Sequence, residues 1–168
     1  MKRHWAYLKY VVRHKYWVAH YCLYIGVPFW RAWIHDWSKF LPSEWLPYAR
    51  TFYKPDGSGQ YEASPAFELA WRHHQRRQPH HWQYWLLTWD KGTTKPLQMP
   101  ETYVREMIAD WCGAGRAITG KLEVWDWYEK NKGKMILHEA TRARVVELLA
   151  ELKNDCRISS MLGMGLIR

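Results

Sequence analysis

Cysteine is scarce in this sequence, with three residues, Cys22, Cys112 and Cys156, an odd number that contains no Cys-x-x-Cys pair. That argues against a disulfide framework and against a thiolate zinc site, and it fits a reducing cytosol. Long apolar runs are missing too. The longest, Tyr16 to Trp30, covers about 15 residues, includes a histidine, and is broken by Gly26 and Pro28, well short of the roughly 20 that a bilayer span needs. No membrane span is expected. The basic start Met1-Lys2-Arg3-His4-Trp5 leads into no leucine- or alanine-rich run and no small-residue cleavage site, so no signal peptide is read and the expected location is cytoplasmic. Internal repeats and low-complexity segments are absent, and strand patterns are thin.

What is abundant is basic and aromatic. The 168 residues make one domain, large enough to bury a core without disulfides. Lysine and arginine outnumber aspartate and glutamate by 25 to 16, a net charge of +9 spread along the chain. Such a field favours anionic partners without choosing between nucleotides, nucleic acid and an acidic protein. Thirteen tryptophans supply large buried area wherever their N–H groups find partners, so core and lip packing accounts for most of them and base stacking for few.

Turn signals divide the chain into a series of helical stretches. Leu8, Val11, Val12, Val18, Ala19, Cys22 and Ile25 recur at helical spacing over Arg3 to Ile25, and Gly26 with Pro28 ends that run. A second helix is expected over Trp30 to Trp37 and a third over Ser43 to Tyr53. Ser64-Pro65 reads as an N-cap followed by a first-turn proline for a helix to about Arg77, and Gln78-Pro79 as the same device for a helix through Trp89. After a loop at Asp90 to Met99, helices are expected over Pro100 to Trp111, with Gly113 and Gly115 near its end, over Glu123 to Lys130 and over Glu139 to Lys153. The expected fold is all-α, a compact single-domain bundle over residues 1–157 followed by a weakly ordered tail at 158–168.

Nine histidines are numerous for this length, and their placement relative to acidic residues carries the information. His35 and Asp36 are adjacent. On a continuous helix adjacent side chains diverge by about 100°, so the pair cannot chelate one ion as His-x-x-x-His does, but at a helix end it can reach two ions or the edge of one. Lys39 follows three residues after Asp36, and His73, His74, His80 and His81 form a cluster. Asp110 sits in an otherwise apolar helical run with Tyr103, Met107, Ile108 and Trp111, where an unpaired carboxylate would be costly. His14 shares a stripe with Tyr7, Val11, Val18 and Tyr21, so it reads equally as a core histidine. His20 lies about 120° around the helix from it, and one ion is not offered both. His73 and His74 point apart, and Phe67, Ala70 and Trp71 share the face of His74. His80 and His81 open a helix, where imidazoles can instead meet free N–H groups. Glu106, one turn before Asp110, can orient a histidine or be a solvated charge, and Lys39 and Glu44 are open in the same way.

The order His14, His35-Asp36-Trp37-Ser38-Lys39, His74, His80-His81, Asp110 resembles the HD-domain metal-dependent phosphohydrolases. The likeness is closest to the branch in which a His-Asp-x-Gly-Lys motif, a single His and a His-His pair hold two or three metals. Ser38 stands where that branch has glycine, and His80-His81 follows His74 after a shorter gap than usual. From about Lys9 to Leu149 the chain also resembles an uncharacterised family of small phage and bacterial proteins. Shared stretches are His35-Asp36-x-Ser38-Lys39-Phe40, Glu44-Trp45-x-Pro47-Tyr48-Ala49-Arg50, His80-His81-Trp82-Gln83-Tyr84-Trp85 and Glu106-Met107-Ile108-Ala109-Asp110-Trp111. The resemblance implies an HD-like helical domain whose metal ligands are His14, His35, Asp36, His74, His80, His81 and Asp110.

Such a shell of imidazoles and carboxylates suits one to three divalent transition ions, manganese, iron, cobalt, nickel or zinc, better than magnesium or calcium. Against only two aspartates the positive charge of two ions would be in excess, enough to bind a phosphate and activate a water, so no side-chain nucleophile is needed. In that reading Asp36 and Lys39 are catalytic. Lys39 with Arg76 and Arg77, or Arg72, holds phosphate oxygens, and Trp82 stacks a base. The expected partner is a small phosphorylated substrate, a nucleotide first, with nucleic acid as an alternative. Two other classes would use the same residues: a di-iron HD-type oxygenase, and a non-enzymatic basic, aromatic module that binds nucleic acid or protein.

Overall fold

A long first helix, α1 (Lys2–Tyr24), buries Tyr7, Val11, His14, Val18 and Tyr21, a spacing of three and four that lays one stripe against the rest of the protein. It ends where Gly26 takes φ +79°. Six more helices follow: α2 (Phe29–Ile34), α3 (Pro42–Phe52), α4 (Pro65–Arg77), α5 (Glu101–Thr119), α6 (Val124–Asn131) and α7 (Glu139–Asn154). The computed structural model describes residues 1–155, so the expected tail at 158–168 and the boundary at 157 lie outside the described residues. With one two-stranded hairpin beside seven helices among the described residues, the domain is all-α. No helix among them is long and apolar enough to cross a membrane.

Three expectations from the sequence are corrected. The second helix stops at Ile34 instead of Trp37, because the chain leaves the helical path at His35 and Asp36. Gln78-Pro79 does not open a helix through Trp89. Gln78 is the C-cap of α4, its N–H on the His74 carbonyl, and its side chain donates to Ser38 Oγ at 3.0 Å, so it caps no second helix. A short 3₁₀ turn, Trp82–Trp85, follows instead, held by Trp85 Nε1 on the Pro79 carbonyl. The chain then forms β1 (Leu86–Thr88), paired antiparallel with β2 (Thr94–Pro96), Leu87 opposite Lys95. The hairpin loop contains Gly92 at φ +79°. Ser64, by contrast, caps α4 as expected, its Oγ accepting from the Phe67 N–H.

The third correction concerns Gly113, which lies inside α5 and not near its end. α1 and α5 share the most extensive helix–helix contact of the fold. A Cβ at Gly113 would stand 2.4 Å from Val18 Cγ2 and 2.7 Å from the Val18 backbone nitrogen, so this glycine sets how closely the two helices approach. Gly113→Ala is expected to lower stability by about 3 kcal/mol, the upper end of the usual overpacking range, because the clash is with backbone that cannot rotate away. Urea unfolding with an unchanged midpoint would contradict that close approach.

The apolar core falls into two clusters. One joins Val18, Tyr21, Cys22 and Ile25 of α1 to α5, α6 and α7. The other joins Tyr7 and Val11 to Tyr48, Ala49 and Ala70 of α3 and α4. His14 lies on the same stripe of α1 between the two, and the buried histidines His35, His74 and His80 gather there with Asp36, Lys39 and Glu106.

Candidate metal centre

Asp36 stands at the turn between α2 and a 3₁₀ segment, Trp37–Phe40, with φ +56° and ψ 24°. Among the described residues no other non-glycine has positive φ. Aspartate enters this left-handed region more readily than most residues, because its short polar side chain bonds locally. The consequence is geometric. On a continuous helix His35 and Asp36 would diverge, whereas here His35 Nε2 lies 3.4 Å from Asp36 Oδ2. Lys15 of α1 fixes the turn by donating to the carbonyls of Trp33 and His35.

The two oxygens of Asp36 face different neighbours. Oδ2 lies 2.9 Å from His14 Nε2, and Asp110 Oδ1 closes this first group at 3.3 Å from His14 Nε2 and 3.5 Å from His35 Nε2. Oδ1 lies 3.2 Å from His74 Nε2 and 3.5 Å from His80 Nε2, and His81 completes the second group. Within each group the candidate ligand atoms all lie within 4.8 Å of one another. Ligands bound to one ion at about 2.0–2.2 Å stand roughly 3.0–3.5 Å from each other, which is the spacing seen here. The donor set also fits a cation on another count. His35 Nε2, Asp36 Oδ1, His80 Nε2 and His81 Nε2 are buried without a hydrogen-bond partner, and such orphans cost about 1–3 kcal/mol each unless something satisfies them.

A third group, His35, His80 and Glu106, is also close enough for an ion, but Glu106 is already engaged. Arg31 holds its Oε2 through Nε at 2.9 Å and Nη2 at 2.6 Å. Oε1 lies 3.1 Å from His35 Nδ1 and 3.3 Å from His80 Nδ1. A carboxylate only accepts, so His35 donates from Nδ1 and turns Nε2 toward Asp36, while His80 Nδ1 stands near Glu106 without a hydrogen bond. Glu44 does the same for His74, with Nδ1 at 3.0 Å, and is itself held by Ser38 Oγ and Arg77. Glu106→Gln is expected to weaken metal affinity about 10- to 100-fold, because the amide can offer a donor to an Nδ1 that must itself donate. Competition against a chelating dye measures this, and unchanged affinity would assign Glu106 to packing alone.

Charge is balanced inside the cluster. Burial would raise the Asp36 carboxyl, but His35, Lys39, His74 and His14 outweigh it and hold the group far below the usual carboxylate range. Asp110 and Glu106 are lowered despite burial by hydrogen bonds from histidines. Burial opposes a proton on His35, yet Asp36, Asp110 and Glu106 raise it well above an ordinary imidazole, so an ion at Nε2 would have to displace a proton held there by the two aspartates. His80 and His81 are lowered, first by burial and then by neighbouring histidines, so both stay neutral.

The seven ligand candidates, His14, His35, Asp36, His74, His80, His81 and Asp110, therefore meet in one place. His20 is elsewhere, its ring against Trp17 and Tyr21, and His73 is in none of the groups. Lys39 is buried, with Nζ 2.5 Å from Asp36 Oδ2 and 3.5 Å from His14 Nε2. A cavity of about 560 Å³ opens beside His81 and Asp110, walled by Trp71, Trp82, Trp111 and Trp127. Trp82 is thus where a stacking role needs it. Arg76 and Arg77 are not, since neither lines this cavity and Arg77 is spent on Glu44. Arg31 was not singled out by the sequence. Its one signal is its place a turn before His35.

No curated protein and no solved structure matches the chain. A family described as one of unknown function, DUF5662, matches residues 3–151, nearly the whole of the described domain. The chain belongs to that family.

Proposed function

We propose that the chain is a metal-dependent phosphohydrolase that cleaves a nucleotide or another small phosphate ester, with two divalent transition ions seated in the two groups that share Asp36. The observation that carries this reading is the division of Asp36 between two imidazole-rich groups in one buried cluster that borders an indole-walled cavity of nucleotide size. The order of ligands, which resembles that of the HD-domain phosphohydrolases, supports it. Ions held there supply Lewis acidity, lowering the pKa of a water toward neutrality and offsetting charge on the phosphate oxygens.

The chain's own residues do the rest. Asp36 and Asp110 bring two negative charges, which leaves a dinuclear site positive and ready for an anion. Glu106 and Glu44 accept from Nδ1 of His35 and His74, so that their Nε2 atoms point inward. Lys39 keeps its proton, since Asp36 outweighs the effect of burial, and places positive charge beside His14. The indoles exclude water and offer flat faces. In the net reaction a water oxygen joins phosphorus, the ester P–O bond breaks, and the alcohol leaves with a proton.

Elemental analysis of untagged protein, reconstituted with manganese, iron, cobalt, nickel or zinc in turn, and a phosphate-release screen over nucleotides test this. Bound metal and metal-dependent release are expected. A chain that takes up no metal overturns the reading. Faster cleavage of oligonucleotides, with rates falling steeply as salt rises, would make the protein a nuclease.

A further inference from the structure

The cavity beside the cluster carries charge that a reacting phosphate does not explain. Its lining joins His81 and Asp110 of the cluster to Glu123 and Asp126 of α6, with Lys130 as the lone lysine or arginine. No arginine lines it, despite a net charge of +9. Glu123 is the N-cap of α6 and Asp126 lies in its first turn, where acidic side chains offset the helix dipole. That role would be served whichever way they pointed. Both line the cavity at its solvent-exposed rim, and neither carboxylate has a hydrogen-bond or ion-pair partner among the described residues, so both are free to meet a ligand that enters.

Carboxylates only accept, so a ligand that reaches this rim must present donors, and a second or third phosphate would be repelled there. The indoles restrict its shape. Trp111 and Trp127 pack on each other with centroids 5.1 Å apart and planes at 44°, which makes a wall and not a cage closing around a small cation. A wall of indoles takes a planar ring.

We propose that Glu123 and Asp126 read the base of the substrate, and that this base is a purine with two adjacent N–H donors on one edge, as in guanine, carried on a nucleoside monophosphate. The single phosphate rests on the phosphohydrolase reading above, but the base contact does not. The ring stacks on the indole wall and its N1–H and 2-amino group donate to a rim carboxylate, while the phosphate end faces His81 and Asp110.

Guanosine, which has no phosphate to cleave, separates the two readings. Its binding, followed by tryptophan fluorescence on protein with and without metal, is expected to exceed that of inosine, which lacks the 2-amino group, by about tenfold, the low end for a paired base contact. In the Glu123→Gln/Asp126→Asn double variant guanosine affinity should fall at least about tenfold and the difference from inosine should vanish, with metal content unchanged. Guanosine binding with no phosphate release from any ester would sink the phosphohydrolase reading and leave this one standing. Hydrolysis of monophosphates without preference among bases would do the reverse. Equal binding of guanosine, inosine and uridine, or tighter binding of choline than of guanosine, overturns the assignment of the rim.

Discussion

Asp36→Asn is expected to reduce phosphate release by roughly 10³-fold or more and to lower the metal content of the folded protein, since it alone contributes an oxygen to both ligand groups. Asparagine is the informative replacement. Alanine at φ +56° would add roughly 1–2 kcal/mol of backbone strain, whereas asparagine tolerates the left-handed region and keeps the shape of the side chain. Alanine would also leave Lys39 Nζ buried without its carboxylate, a loss of about 3–5 kcal/mol by the usual cost of breaking a buried pair. A failure of Asp36→Ala to fold would therefore say nothing about chemistry, while a folded Asp36→Asn does. Circular dichroism establishes that it is folded, elemental analysis counts its metal, and wild-type turnover in that variant would show that Asp36 does not join two sites.

The sequence made the helices legible where period and caps agreed. α1, α4, α6 and α7 lie within a residue or two of their expected limits because apolar spacing, Ser64-Pro65 and the glycines all point the same way. It failed where a local signal had two uses. Gln78-Pro79 looks like a helix start, but Gln78 ends the preceding helix and its amide serves Ser38, a partner 40 residues away that no local window contains. Gly113 looks like a helix end, and only the approach of Val18 explains a glycine inside α5.

The candidate site divides in the same way. His35-Asp36 beside a later histidine cluster was visible, and so was the cost of a carboxylate at Asp110. That the adjacent pair converges required the positive φ of Asp36, which no propensity specifies. Arg77 was expected to face phosphate on the strength of its charge, yet it pairs with Glu44, because a carboxylate buried to hold His74 Nδ1 needs a counter-charge of its own. Glu106 was open to a role in orienting a histidine, but the Arg31 clamp that holds it spans 75 residues and is silent in sequence. Supporting residues are set by three-dimensional charge balance, and sequence order carries little of it.

Removing metal with a chelator is expected to lower the thermal midpoint of the protein by about 8–16 °C per strongly bound ion. The candidate ligands come from α1, the turn after α2, α4, the segment before the Trp82–Trp85 turn, and α5, so only the folded chain assembles them. Binding to the folded state alone stabilises it by about 4 kcal/mol when free metal is a thousand times its dissociation constant. For a domain of this size each kcal/mol moves the midpoint by about 2–4 °C. The sign is fixed by the interior. Without an ion, the lone pairs of His80 and His81 and the Oδ1 of Asp36 face one another in a dry cluster without hydrogen-bond partners, which favours the unfolded chain, where water reaches them. Re-adding the ion should restore the midpoint, and Asp36→Asn should show a much smaller chelator shift than the wild type. A wild-type midpoint that stays put after metal is shown to have left would mean that these residues are satisfied by packing and protons alone, and that the cluster is a structural core of polar groups.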